Sequence, residues 1–143
     1  MKKVSIKFIS AFLCHFIFLF SLSITAIAQE KEQGKLYELK IETFHQEGKN
    51  IALITVRGKH GYHINVDYPW KLTIQAADGL NIEKHKYLGS DAETMIEEKA
   101  VFKIPFGAPE NMIVKATLKL AVCKDIKCVF EDVAISWSNP TVQ

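Results

Sequence analysis

From about residue 36 onward, apolar side chains recur at every second position, the signature of strands with one face turned inward. Trp70, Leu72, Ile74 and Ala76 alternate with Lys71, Thr73 and Gln75. Met112, Val114, Ala116, Leu118, Leu120 and Val122 alternate with Ile113, Lys115, Thr117, Lys119 and Ala121. Val129, Val133, Ile135 and Trp137 share a third such phase, with Glu131 as its single polar member. Shorter β-like runs cover 36–44, 50–57, 80–88 and 100–106. Turn chemistry separates them: Glu47-Gly48-Lys49-Asn50, the stretch 58–61, Asp78-Gly79, Gly89-Ser90-Asp91 and the stretch 105–109. The stretch 91–99 has four acids and little apolar surface, so it reads as a loop. About seven short strands with regular turn signals predict an all-β fold, an immunoglobulin-like antiparallel β-sandwich. No internal repeat, low-complexity segment or linker marks a second domain.

The first 28 residues obey a different rule. Lys2, Lys3 and Lys7 precede 21 residues without a charge, and the run ends in Ala26-Ile27-Ala28. A positive start, an apolar middle and a small-x-small exit predict a signal peptide over 1–28, cleaved after Ala28. An uncleaved anchor is the alternative, because an apolar run of that length can span a bilayer. Cys14 sits inside the run without a small residue before it, which argues against a lipoprotein. The expectation is export to the periplasm, with 29–143 as a single domain whose ends, 29–35 and 138–143, are ragged. Once cleaved, the chain no longer engages the membrane.

Removing the leader changes what composition implies. Of 143 residues 115 remain, and the formal charge moves from +2 to −1, with fifteen basic and sixteen acidic side chains. That length supports one modest core and excludes a multidomain enzyme, a doubly wound sheet of usual size or a barrel of eight βα units. Near-neutrality offers no electrostatic basis for binding nucleic acid. Of three cysteines, two survive: Cys123 and Cys128, in a compartment where a pair is expected to oxidise.

The pair lies between the two clearest strands, and the four intervening residues fit a hairpin loop with the cysteines facing across its mouth. A disulfide there favours a non-hydrogen-bonded pair of positions. By phase, Cys123 goes with Thr117, Lys119 and Ala121, and Cys128 with Asp132 and Ser136, so both fall on the less apolar face unless a bulge resets the register. A staple more usually crosses the core between sheets. In the chain-entropy model a loop this short stabilises the fold by about 2 kcal/mol at most. Lys124 and Lys127 add positive charge that favours thiolate, partly offset by Asp125. From the residues alone three uses stay open: a structural disulfide, a redox-active pair or a metal site.

Two segments carry a family resemblance. Gly61-Tyr62-His63-Ile64-Asn65, running on to Tyr68-Pro69-Trp70-Lys71-Leu72, is similar to a Gly-Tyr segment leading into a strand. Leu118-Lys119-Leu120-Ala121-Val122-Cys123, followed by Cys128, is similar to a strand ending in a C-x4-C or C-x5-C site. Together with Tyr87-Leu88-Gly89 and the stretch 100–105, they make the chain resemble the N-terminal periplasmic domain of the DsbD-type thiol:disulfide interchange proteins over most of 36–137. The resemblance implies an immunoglobulin-like sandwich with Cys123 and Cys128 as the interchange pair and Cys128 as the residue that forms mixed disulfides. It implies Tyr87 as a cap over the sulfurs, thioredoxin-like periplasmic proteins as partners and no cofactor. The chain departs from the pattern in places. His85 and Lys86 stand where acids are common, and Val129-Phe130-Glu131 replaces a proline pair. With no room in 115 residues for the rest of a relay, a separate membrane electron carrier is implied. The alternative is a non-catalytic immunoglobulin-like binding or scaffold module whose disulfide only pins a hairpin.

Other constellations are weaker. His60 and His63 are three apart, a spacing that points to opposite faces of a strand, with His45 and His85 elsewhere, so no metal site is assigned. Tyr62, Tyr68 and Trp70 around Pro69 read first as packing, and Glu93, Glu97 and Glu98 as a solvated loop. Phosphate loops, hydrolase elbows and basic-aromatic interleaving are absent from the sequence.

Overall fold

The computed structural model describes residues 36–140. The leader assigned to 1–28 and the lead-in 29–35 lie outside the described residues. Within them the chain forms ten strands: β1 Tyr37–Gln46, β2 Lys49–Gly58, β3 His63–Ile64, β4 Lys71–Ile74, β5 Asn81–Ile82, β6 Lys86–Leu88, β7 Thr94–Ile96, β8 Lys99–Gly107, β9 Val114–Lys124 and β10 Lys127–Trp137. One three-residue 3-10 turn, Gly89–Asp91, interrupts them.

The strands build two antiparallel sheets. One runs β1-β2-β8-β5, with β7 also pairing β8; the other runs β10-β9-β4-β6, with β3 also on β9. In space these orders follow the A-B-E-D and G-F-C-C′ sheets of immunoglobulin nomenclature, but β6, in the C′ place, lies in the chain between β5 and β7, which share the D place. The inner faces meet as alternation requires. On β9, Val114, Ala116, Leu118, Leu120 and Val122 are buried, while Lys115, Thr117 and Lys119 face outward. Opposite them lie Ile54, Val56, Phe102 and Ile104, and Trp70, at the head of β4, is buried among them.

Several elements differ from the sequence expectation. The run 80–88 divides into β5 and β6 on different sheets, because its middle residues carry the chain from one layer to the other. The acidic stretch 91–99 is not wholly a loop. Its residues Thr94, Met95 and Ile96 pair with Val101, Ala100 and Lys99, so β7 and β8 form a tight hairpin around Glu97-Glu98. The first hairpin turns on Glu47-Gly48 alone, both at positive φ (51° and 77°), a pairing that suits the twist of its strands. β3 is too short for any periodicity to reveal.

The edge between β1 and β10 is bridged at one point by a polar contact. The Tyr37 hydroxyl donates to Glu131 Oε2 at 2.6 Å, joining the two sheets. Glu131, the polar member of an otherwise apolar phase, thus has a partner for its inward-facing carboxylate.

Candidate functional site

The β9–β10 register is unbroken from Val114↔Trp137 to Lys124↔Lys127. Its loop is therefore two residues, Asp125 and Ile126, shorter than the four-residue loop expected, with Asp125 at φ 53° and Ile126 fully exposed. In such a hairpin the residues flanking the turn form a hydrogen-bonded pair, and the next pair inward is non-hydrogen-bonded. That next pair is Cys123↔Cys128, with Cα atoms 4.0 Å apart and the sulfurs bonded. With no bulge, the phase holds: both cysteines project from the outer face, opposite Leu118, Leu120 and Val122.

The two sulfurs are not equivalent. Cys123 is 5% exposed, whereas Cys128 is half-buried and on the terminal strand of its sheet. β3 lies on the other side of β9, with His63 facing Cys123 and Ile64 facing Val122. Facing residues on antiparallel strands share a sheet face, so the His63 imidazole stands on the same side as the disulfide. Asn65 follows it. Its Oδ1 accepts from the Asp67 backbone N–H at 3.1 Å, which turns the Asn65 amide nitrogen toward Cys128 Sγ at 4.0 Å, a weak N–H···S contact. The Asn65 backbone is fixed in turn. Its N–H donates to the Ala121 carbonyl at 3.0 Å, and its carbonyl accepts from Trp70 Nε1 at 2.8 Å. The buried indole thus anchors the loop that reaches the disulfide.

The same loop supplies one ring of an aromatic pair on the disulfide's side of the sheet. The Tyr68 and Phe130 rings lie 5.1 Å apart at 40°. Ala121, facing Phe130 in register, is fully buried despite its outward phase. Phe130 itself is 58% exposed, and Val66 and Ile126 are exposed nearby in the chain, leaving apolar surface beside the sulfurs.

Tyr87, the expected cap, is elsewhere. It faces Leu72, which faces Leu118, so all three point into the core, while the cysteines point out. Leu118 is also five residues from Cys123 along β9, about 16 Å at strand rise. The Tyr87 phenol is buried without a hydrogen-bond partner, and burial, followed by nearby Glu83, holds its pKa above the usual tyrosine value. Tyr68 and Phe130 are an aromatic pair on the disulfide's side of the sheet, Phe130 two residues from Cys128 along β10.

The lysines also differ from expectation. Lys124 and Lys127 face each other on the side of the hairpin opposite the sulfurs. Lys124 Nζ donates to the His60 carbonyl at 2.9 Å and lies 6.0 Å from the Tyr62 ring centroid. Its charge is committed to the β2–β3 loop rather than to a thiolate.

Four residues named in the sequence for other reasons were not assigned to the disulfide there: His63, Asn65, Tyr68 and Phe130. Phe130 alone had a local signal, as the one aromatic in the outward phase of β10. The others reach the disulfide only through the pairing of β3 with β9. Among the described residues, no three His, Cys, Asp or Glu side chains converge as a metal-ligand set. A surface depression of about 490 Å³ lies on the outer face of the other sheet among Glu38, Glu42, Arg57 and Glu93, away from the cysteines. No protein-family model, curated protein or solved structure matches this chain.

Proposed function

We propose that the chain is an exported thiol:disulfide interchange domain that passes electrons through Cys123 and Cys128 to or from thioredoxin-like partners in the periplasm, with a separate membrane protein as the electron carrier. The observation that carries this reading is the asymmetry of the pair: Cys123 is buried, and Cys128 is only partly buried, on the terminal strand of its sheet with exposed Phe130 two residues along.

Attack on a disulfide proceeds along the S–S axis, from beyond the sulfur that is struck. Here the bond runs from β9 to β10, so the approach to Cys128 comes from the open edge. The approach to Cys123 comes from the side where β3 and His63 stand. A partner thiolate therefore attacks Cys128 Sγ, the S–S bond breaks, and Cys123 leaves as a thiolate with the electron pair. The partner's second thiolate then attacks its own sulfur in the mixed disulfide and expels Cys128. Two electrons have entered this chain, and the released thiolates take protons from solvent. In the reverse direction Cys128 attacks a target disulfide and Cys123 displaces the target from Cys128. Asn65 donates toward Cys128 Sγ and would stabilise charge on that sulfur when it is a thiolate.

Burial of Cys123 also suits the second reading, a disulfide that merely pins the F–G hairpin of a binding module. Trapping separates the two. A Cys123→Ser chain, exported and then quenched with alkylating agent, should carry thioredoxin-like proteins linked through Cys128, and a Cys128→Ser chain should carry none. Absence of mixed disulfides, with a reduction potential far below the roughly −270 mV of thioredoxin, would sink the interchange reading.

A further inference from the structure

Charge is distributed unevenly between the two outer faces. On the sheet containing the disulfide, one row reads Leu88, Lys71, Lys119, Asp132 across β6, β4, β9 and β10. The next places Lys86 beside Thr73, Thr117 and Ala134, and Lys115 stands beyond, facing Ser136. Four lysines thus share this face with one aspartate. Its only ion pair among the described residues is Lys119–Asp132 at 3.5 Å. The other sheet's outer face is mixed: Glu38, Glu42 and Glu93 are interspersed with Lys40, Arg57, Lys99 and Lys103, and Lys40–Glu42 and Lys103–Glu93 pair at 2.7 and 3.9 Å. In a chain that is near-neutral overall, the lysine field is a matter of placement, not of composition.

The field is continuous with the redox site. Lys119 lies four residues along β9 from Cys123, about 13 Å at strand rise, and Lys115 about 26 Å. The row between holds Ala121 and Phe130, with Tyr68 against Phe130. The surface therefore reads disulfide, aromatic pair, lysines, over four strands about 14 Å wide. That footprint suits the small contacts of transient electron-transfer encounters.

We infer that this face is the docking surface for a partner protein whose reactive thiol is flanked by acidic side chains. The thiol part rests on the interchange reading; the charge part does not. The aromatic pair is the apolar centre of the contact and the lysines are its cationic side, which steers an acidic partner so that its thiol arrives at Cys128. An anionic membrane is the less suitable occupant. Among the lysines stand threonine, serine and alanine, and Leu88 beside Lys71 is the one large exposed apolar side chain there, short of the apolar depth that interfacial anchoring needs.

The test uses two labelled peptides of equal length, one with aspartate and glutamate around a central serine, the other with lysine and arginine. NMR titration of the oxidised domain at low salt should shift amides on β4, β6 and β9 around Lys71, Lys86, Lys115 and Lys119 with the acidic peptide only. Raised salt should abolish the shifts. With cysteine replacing serine, the acidic peptide's thiolate should open Cys123–Cys128, forming a mixed disulfide and releasing the other cysteine as a thiolate, about 10-fold faster than the basic peptide's at low salt. Lys86→Glu with Lys115→Glu, both exposed, should reverse that preference. Shifts on another face, equal response to both peptides, or binding to phosphatidylglycerol vesicles without binding to the acidic peptide would overturn the inference. If the acidic peptide maps to the lysines but no peptide thiol opens the disulfide, docking stands and interchange falls. If exchange is fast and indifferent to peptide charge, interchange stands and docking falls.

Discussion

Reducing the disulfide in the wild-type chain perturbs one bond and no packing volume. The closed loop spans Cys123 to Cys128, a sequence separation of five. Loop-closure entropy for about six residues corresponds to about 2 kcal/mol at 25 °C. Little else should be lost. β9 and β10 remain in register over eleven facing pairs, Tyr37 still ties β10 to β1 through Glu131, and Cys123 as a thiol still fills its buried site as a small apolar group. By the thermodynamic cycle, the same 2 kcal/mol is the folded chain's bias toward the disulfide relative to the unfolded chain. It corresponds to about 40 mV for a two-electron couple, small enough to leave the pair within reach of a dithiol partner. The assay is paired urea unfolding of the oxidised and phosphine-reduced protein, read by the fluorescence of Trp70 and Trp137, both buried. The midpoint should fall while both samples keep one cooperative transition, and the melting temperature should drop by about 10 °C. A reduced chain that is unfolded at 25 °C, or that loses more than about 4 kcal/mol, would refute the reasoning and make the bond a staple.

Other substitutions probe the cover and the closure of the sandwich. Phe130→Ala should raise the rate at which a small neutral thiol opens the disulfide several-fold, at a stability cost of about 1 kcal/mol for the lost aromatic pair; an unchanged rate would remove Phe130 from the cover. Tyr87→Phe should leave that rate unchanged and the stability equal or raised by up to about 1 kcal/mol, since it deletes a buried hydroxyl that has no partner; slower or faster exchange would restore Tyr87 as a cap. Tyr37 is held protonated by burial and then by its hydrogen bond to Glu131, which raise its pKa. The unfolded chain ionises this phenol above about pH 10 while the folded chain does not, so the associated stability is complete below that pH and declines above it. In Tyr37→Phe, alkaline unfolding curves should flatten over that window; identical curves would contradict the assignment.

The site was legible in the sequence to different depths. The hairpin, the facing cysteines and their outward phase followed from alternation in β9 and β10, because period-two patterning is a property of each strand alone. Tyr87 was misplaced for want of the same phase information. Its strand is three residues long, too short to show which way the ring points, and its neighbours Lys86 and Leu88 gave no contrast strong enough to decide. Lys124 illustrates a different limit. Proximity in sequence put its charge beside Cys123, but adjacent residues on a strand project to opposite faces, and its ammonium group found a carbonyl on a distant loop.

What the sequence by itself determined was an all-β chain, its main turns, its inner face and the side from which the sulfurs emerge, all local consequences of alternation and turn chemistry. The tertiary structure alone decided which segments meet that side. The two-residue β3 docks on β9, so His63 and Asn65 stand beside the disulfide, Trp70 anchors the loop between them and β4, and lysines from three strands merge into one field. Those neighbours depend on the pairing of segments distant in sequence, sixty residues apart for His63 and Cys123, and a repeat that describes one strand contains no record of its partner or of their register.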